Sequence, residues 1–131
     1  MSGSFIDTNI LLYALSADRQ KADRAEAVLS AGGIVSLQVL NEFAAVARRK
    51  LGLPYPEIAY LLATYRGLVE VRPLTVEIHL AGLALAGEHD LSIYDAMIVA
   101  SALEAGCDVL YSEDMQTGRV FEGRLRLVNP F

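Results

Sequence analysis

Short apolar runs bounded by turn residues alternate with helix-length amphipathic stretches along the whole of this chain. That alternation constrains its fold more than any other feature. Ser4-Phe5-Ile6-Asp7 reads as a short strand, Ile34-Val35 as the next, Leu68 to Val71 (ended by Pro73) as the third and Val109-Leu110-Tyr111 as the fourth, with Arg124 to Val128 as a short last one. Between them the pattern predicts helices from Asn9 to Ala17 and from Arg19 to Ala31, the latter stopped by Gly32-Gly33. Further helices run from the Ser36 cap to about Lys50, from Pro54 and Pro56 to about Arg66, from the Thr75 cap to about Glu88, and from the Ser92 cap over Ile93 to Ala105. Strands separated by crossover helices pair in parallel, so the chain reads as α/β with a central, mostly parallel sheet. No repeat, low-complexity tract or linker interrupts the pattern, and 131 residues are expected to form one domain over residues 1–131.

A chain of this length buries enough surface to need no disulfide or structural zinc. The single Cys107, in Ala105-Gly106-Cys107-Asp108, fits a small core residue in a reducing compartment. With no signal segment at the start and no apolar run of about 18 residues, a soluble, cytoplasmic protein without a membrane role is expected. Net charge is −5, from 16 acidic and 11 basic residues, which argues against a broad basic nucleic-acid footprint. Hydrophobic residues make up 53% of the chain, and counting glycine in place of tyrosine keeps the share above the ~45–50% usual for soluble domains. Such a surplus points to surface that another protein covers.

Four acids stand out by position. Asp7 and Asp114 lie just past the carboxyl ends of two expected strands, along the edge where open α/β sheets bind ligands. Glu42 falls in the second turn of the helix after the second strand, and Asp95 in the first turn of the helix that feeds the fourth. Each has an ordinary explanation alone: Asp7-Thr8-Asn9 as cap material, Ser92-x-x-Asp95 as a cap signature, Glu42 as a solvated glutamate, and Asp114 as a turn opener. Four such acids converging on one edge are costly, since two like charges 4 Å apart repel by about 4 kcal/mol at an effective dielectric near 20. Hard divalent ions such as Mg²⁺ or Mn²⁺ offset that repulsion, and the set then suits hydrolysis of phosphodiesters by one or two ions.

These residues and their neighbours resemble the PIN-domain family, most closely its VapC-like toxin branch. The matching runs are Phe5-Ile6-Asp7-Thr8-Asn9, Ser36-Leu37-Gln38-Val39-Leu40-Asn41-Glu42-Phe43, Ile93-Tyr94-Asp95-Ala96-Met97-Ile98-Val99-Ala100 and Leu110-Tyr111-Ser112-Glu113-Asp114-Met115-Gln116, with an Asn129-Pro130-Phe131 tail. The resemblance implies a three-layer α/β/α sandwich. It also implies a Mg²⁺- or Mn²⁺-dependent endoribonuclease whose metal-binding, catalytic acids are Asp7, Glu42, Asp95 and Asp114. Ser112 and Asn9 match supporting positions that orient metal-bound water or phosphate. Many relatives carry two acids near the fourth motif, and here Glu113 precedes Asp114 while Met115 follows it, so a fifth carboxylate serving a second ion is an open question. The implied partners are an RNA substrate, a cognate antitoxin whose peptide lies in a groove, and a second copy of the chain in a homodimer.

A different class, a PIN-fold module that grips RNA or protein without cutting, is the alternative, and the presence of all four acids counts against it. A haloacid-dehalogenase-type phosphatase needs a second aspartate where Asn9 stands, and a receiver domain needs a later lysine than Lys21 and Lys50. His79 and His89 belong to no ligand set, and no serine has a histidine and an acid partner in the pattern. Arg48-Arg49-Lys50 closes a helix, where cations favour the macrodipole, with an RNA-backbone contact as a secondary reading. Tyr94 is read as a core residue or a base-stacking one.

Overall fold

The computed structural model describes residues 3–131, so the first two residues of the expected domain lie outside the described range. Six strands form one sheet: β1 (Ser4–Ile6), β2 (Ile34–Ser36), β3 (Glu70–Arg72), β4 (Val109–Tyr111), β5 (Val120–Phe121) and β6 (Leu125–Val128). Their order is β3-β2-β1-β4-β6-β5, and every pair is parallel except β5 with β6. Six helices connect them: α1 (Thr8–Tyr13), α2 (Arg19–Ser30), α3 (Leu37–Leu51), α4 (Tyr55–Arg66), α5 (Val76–His89) and α6 (Ile93–Glu104).

The layers follow from crossover handedness. The chain steps from β1 to β2 to β3 in one direction, then returns past β1 to β4. Right-handed crossovers therefore put α1 to α4 on one face and α5 with α6 on the other. The packing agrees: α1 lies against α2 and α3, α3 against α4, and α5 against α6. Phe5 and Ile6 are consecutive strand residues that point to opposite faces, and both are fully buried, as a sheet covered on both sides requires. The expected α/β/α sandwich with a mostly parallel sheet is what the chain forms.

Where boundaries moved, local chemistry explains it. The first helix stops at Tyr13, four residues short of the expected Ala17. The third strand is Glu70–Arg72 rather than Leu68 to Val71, because the amides of Leu68 and Val69 both turn back to the Tyr65 carbonyl and close α4. Ser36 occupies the cap position of α3 but its side chain makes no capping bond; it is also the last residue of β2, and its hydroxyl is buried without a partner. The β5 strand was not expected. It is two residues long and returns to β6 through a tight turn in which Glu122 and Gly123 have φ of 52° and 66°. Cys107 is buried, as expected, and burial pushes its thiol pKa up.

Candidate metal centre

The strand order reverses between β1 and β4, and at such a switch point the loops leaving the carboxyl ends diverge to opposite faces and open a crevice. Asp7 is the residue after β1. Its amide still pairs with the Tyr111 carbonyl of β4, which holds it at the sheet edge, and its side chain is only 4% exposed. Asp7 is also the N-cap of α1: Oδ1 accepts from the Thr8 amide at 2.7 Å. From β4 the Ser112 hydroxyl donates to Asp7 Oδ2 at 2.8 Å and accepts the Asp114 amide at 3.3 Å. Both Asp7 oxygens are thus aimed by donors on the two central strands' loops.

Glu42 stands on α3 and is held from both sides. The Thr8 hydroxyl donates to Oε2 at 2.9 Å, and the Gln38 amide donates to Oε1 at 2.7 Å. The same Gln38 nitrogen donates to the Tyr94 carbonyl at 3.1 Å, tying α3 to the start of α6. Asp95 follows at once in the first turn of α6, where the Ser92 hydroxyl caps its amide. Asp114 is exposed beyond β4.

The charges of Asp114 and Glu42 lie near enough to act on both Asp7 and Asp95. Burial, first, and then the charges of Asp114 and Glu42 push the Asp7 carboxyl up to about 6, against the pull of the Ser112 and Thr8 hydrogen bonds. Burial and the Asp114 charge, with a smaller contribution from Glu42, also raise the Asp95 pKa. No lysine, arginine or histidine pairs with any of the four among the described residues. Nor, among those residues, do three acidic, histidine or cysteine side chains close on one point as a finished cage. The set is an open group of hard oxygen donors, held by hydrogen bonds but facing no cationic side chain among the described residues. Its donor chemistry fits Mg²⁺ or Mn²⁺, which keep several waters and take one or two carboxylates plus substrate oxygens rather than an all-protein cage.

Glu113 is turned away. Its carboxylate accepts a hydrogen bond from the Tyr13 hydroxyl and pairs with Lys21 at 3.2 Å. Asn9 Oδ1 accepts the Glu113 amide at 3.4 Å, while Asn9 Nδ2 is buried without a partner. The structure therefore brings Asp7, Glu42, Asp95, Asp114 and Ser112 together, with Asn9 beside them. Two contributors, Thr8 and Gln38, were not singled out from sequence. Gln38 had a signal: it lies four residues before Glu42, on the same helix face.

An α/β/α sandwich with an acidic crevice at its switch point is the class of protein defined here. The PIN domain family model matches residues 4–120, and the chain belongs to the PIN-domain family. Among curated proteins none matches. A toxin–antitoxin complex from Klebsiella pneumoniae shares the fold with a TM-score of 0.72 and 22% identity, over 98% of both chains. VapC20 of Mycobacterium tuberculosis, a sarcin–ricin loop cleaving toxin, matches with a TM-score of 0.70 and 19% identity over 85% of this chain and 89% of that one. VapBC2 from Rickettsia felis, bound to a DNA fragment from its promoter, has a TM-score of 0.70 and 17% identity over 96% and 97%.

Proposed function

We propose that this chain is a metal-dependent endoribonuclease, the toxin of a toxin–antitoxin pair, with its site at Asp7, Glu42, Asp95 and Asp114. The observation that carries the reading is the mutual charge of Asp7, Glu42, Asp95 and Asp114 at the switch point, with no lysine, arginine or histidine paired to them among the described residues. Membership of the PIN family and the likeness in fold to a sarcin–ricin loop cleaving toxin support it. The domain is taken to span residues 1–131.

Asp7, Glu42, Asp95 and Asp114 would hold one or two Mg²⁺ or Mn²⁺ ions, which would supply an activated water and neutralise charge on a phosphodiester. The protein's part is positioning. Thr8 and Ser112 fix the two oxygens of Asp7, and Thr8 with Gln38 fixes those of Glu42, so two carboxylates present their remaining lone pairs toward the crevice. Asp95 and Asp114, whose charges act on one another, complete the set. Asn9, whose amide nitrogen has no protein partner, is a donor for a water or a phosphate oxygen. Two of the solved structures of the same fold are toxin complexes with an antitoxin or promoter DNA, which supports an antitoxin as this chain's protein partner. A homodimer fits the surplus of exposed apolar residues, Tyr60 and Val76 among them.

Total cellular RNA incubated with wild type and with Asp95→Asn, in Mn²⁺, in Mg²⁺ and in EDTA, tests the reading. Cuts that need metal and vanish in the variant are expected. Cuts by Asp95→Asn at the wild-type, metal-dependent rate would overturn the site, and retention of RNA without cuts in any metal would point to a binding module.

A further inference from the structure

A groove of about 680 Å³ opens directly beside the acidic crevice and shares Glu42 and Gln38 with it. Its floor is the outward stripe of α3, and its wall is made by Leu74 before α5 and by Tyr94 at the start of α6. Tyr94 is 67% exposed although it neighbours Asp95, so it is not the core residue that its helix composition allowed. Its backbone carbonyl is pinned by Gln38 at 3.1 Å, which fixes the base of the side chain while the ring stands free. At the other end of the stripe is Arg49, two helical turns or about 10 Å beyond Glu42. The preceding cation, Arg48, is occupied: it donates to the Leu53 carbonyl and stacks over the Tyr55 ring at 4.8 Å. Arg49 has no carboxylate partner among the described residues.

An apolar trough with an aromatic face at one end, a guanidinium without a carboxylate partner at the other and the acidic residues at its mouth matches the two chemistries of a single-stranded nucleic acid. Bases stack on exposed aromatic rings whatever their identity, and guanidinium groups hold phosphates. We propose that this groove is a nucleotide subsite for single-stranded RNA, in which a base flanking the scissile phosphate stacks on Tyr94 and Arg49 holds the backbone phosphate further along. The inference rests on the ribonuclease reading for its ligand, and it favours RNA over a second copy of the chain because the groove is continuous with the acids and ends in an unpaired cation.

The test is a titration of a 2-aminopurine-labelled oligoribonucleotide with the full chain carrying Asp95→Asn, in EDTA, so that binding is read without metal or cleavage. Quenching of the base on binding is expected. Adding Tyr94→Ala should weaken affinity roughly 5- to 150-fold, the range for loss of one base–aromatic stack, while Tyr94→Phe restores it. Arg49→Gln should lower affinity and reduce the slope of log K against log salt by about 0.7, one phosphate's worth on a single strand. Unchanged affinity in Tyr94→Ala, equal loss in Tyr94→Phe, or no quenching in any variant would overturn the subsite. So would a Tyr94→Ala chain that binds RNA normally but sediments as a smaller species, which would assign the groove to a second copy. Metal-dependent cleavage measured in parallel separates the two readings. Cleavage with no stacking removes the subsite alone, whereas stacking without cleavage removes the nuclease and leaves the subsite.

Discussion

Glu113 and Asp114 are sequence neighbours that differ in what reaches them. The hydroxyl of Tyr13 and the ammonium of Lys21 close over the Glu113 carboxylate, whereas Asp114 is left exposed with its charge acting on Asp7 and Asp95. Glu113→Gln should therefore leave metal-dependent cleavage unchanged, while Asp114→Asn lowers it more than about a hundredfold, beyond the 10- to 100-fold typical of a residue behind the ligands. Initial rates on one oligonucleotide decide this, and a Glu113→Gln loss as deep as that of Asp114→Asn would restore the fifth carboxylate. Sequence left Glu113 open because its partners lie 100 and 92 residues earlier, and no local pattern announces them. The positions of the four acids in the fold were legible because each stands at a strand end or in an early helical turn of the α/β pattern. Thr8 was legible only as cap material; its hydroxyl contact with Glu42 bridges 34 residues and needs the folded sheet.

Among the elements, the sheet edge that carries Asp7 depends on how tightly β1 and β2 approach. A Cβ at Gly33 would stand 2.9 Å from Ile6 Cδ1 and 3.0 Å from the Ser4 carbonyl oxygen, and the latter is backbone that cannot swing aside. Gly33→Ala should destabilise the fold by about 1–3 kcal/mol, the range for overpacking, read as a lower denaturant midpoint with unchanged slope. A midpoint equal to wild type would mean that the strands have slack. Gln38 acts at the same scale, because it ties α3 to α6 and so fixes the spacing of Glu42 from Asp95. Gln38→Ala should raise the Mn²⁺ concentration for half-maximal cleavage about 10- to 100-fold, since residues behind metal ligands carry that much affinity. An unchanged metal requirement would show that α6 needs no tether. Helices and central strands were legible because their apolar periods are long or their caps explicit, as with Thr75, whose hydroxyl accepts the Ile78 amide, and Ser92. β5 escaped because two residues carry no period, and because Glu122 adopts a positive φ that only its hairpin imposes.

For the molecule as a whole, the acids make stability depend on pH in a sense opposite to the usual acid denaturation. An aspartate has a pKa of about 3.9 in an unfolded chain, and folding raises that of Asp7 to about 6. Between these values the native state binds more protons than the unfolded one, so stability falls as pH rises through the window and levels off above about 6. Asp7 is almost wholly buried, and a shift of two units corresponds to about 3 kcal/mol. Asp95, raised by burial and by Asp114, acts in the same direction. In EDTA the wild-type unfolding free energy, read from the denaturant midpoint and slope, should therefore drop by about 2 kcal/mol between pH 4.5 and 7, and Asp7→Asn should flatten most of the drop and be the more stable protein at pH 7. A divalent ion that binds only the native, ionised site works against the same penalty. At a hundred times its dissociation constant it adds about 2.7 kcal/mol, so Mn²⁺ at pH 7 should raise the wild-type midpoint and move that of Asp7→Asn far less. A pH slope that survives in Asp7→Asn would place its origin in other groups. A Mn²⁺ effect equal in the two proteins would mean that the ion binds elsewhere than at the crevice.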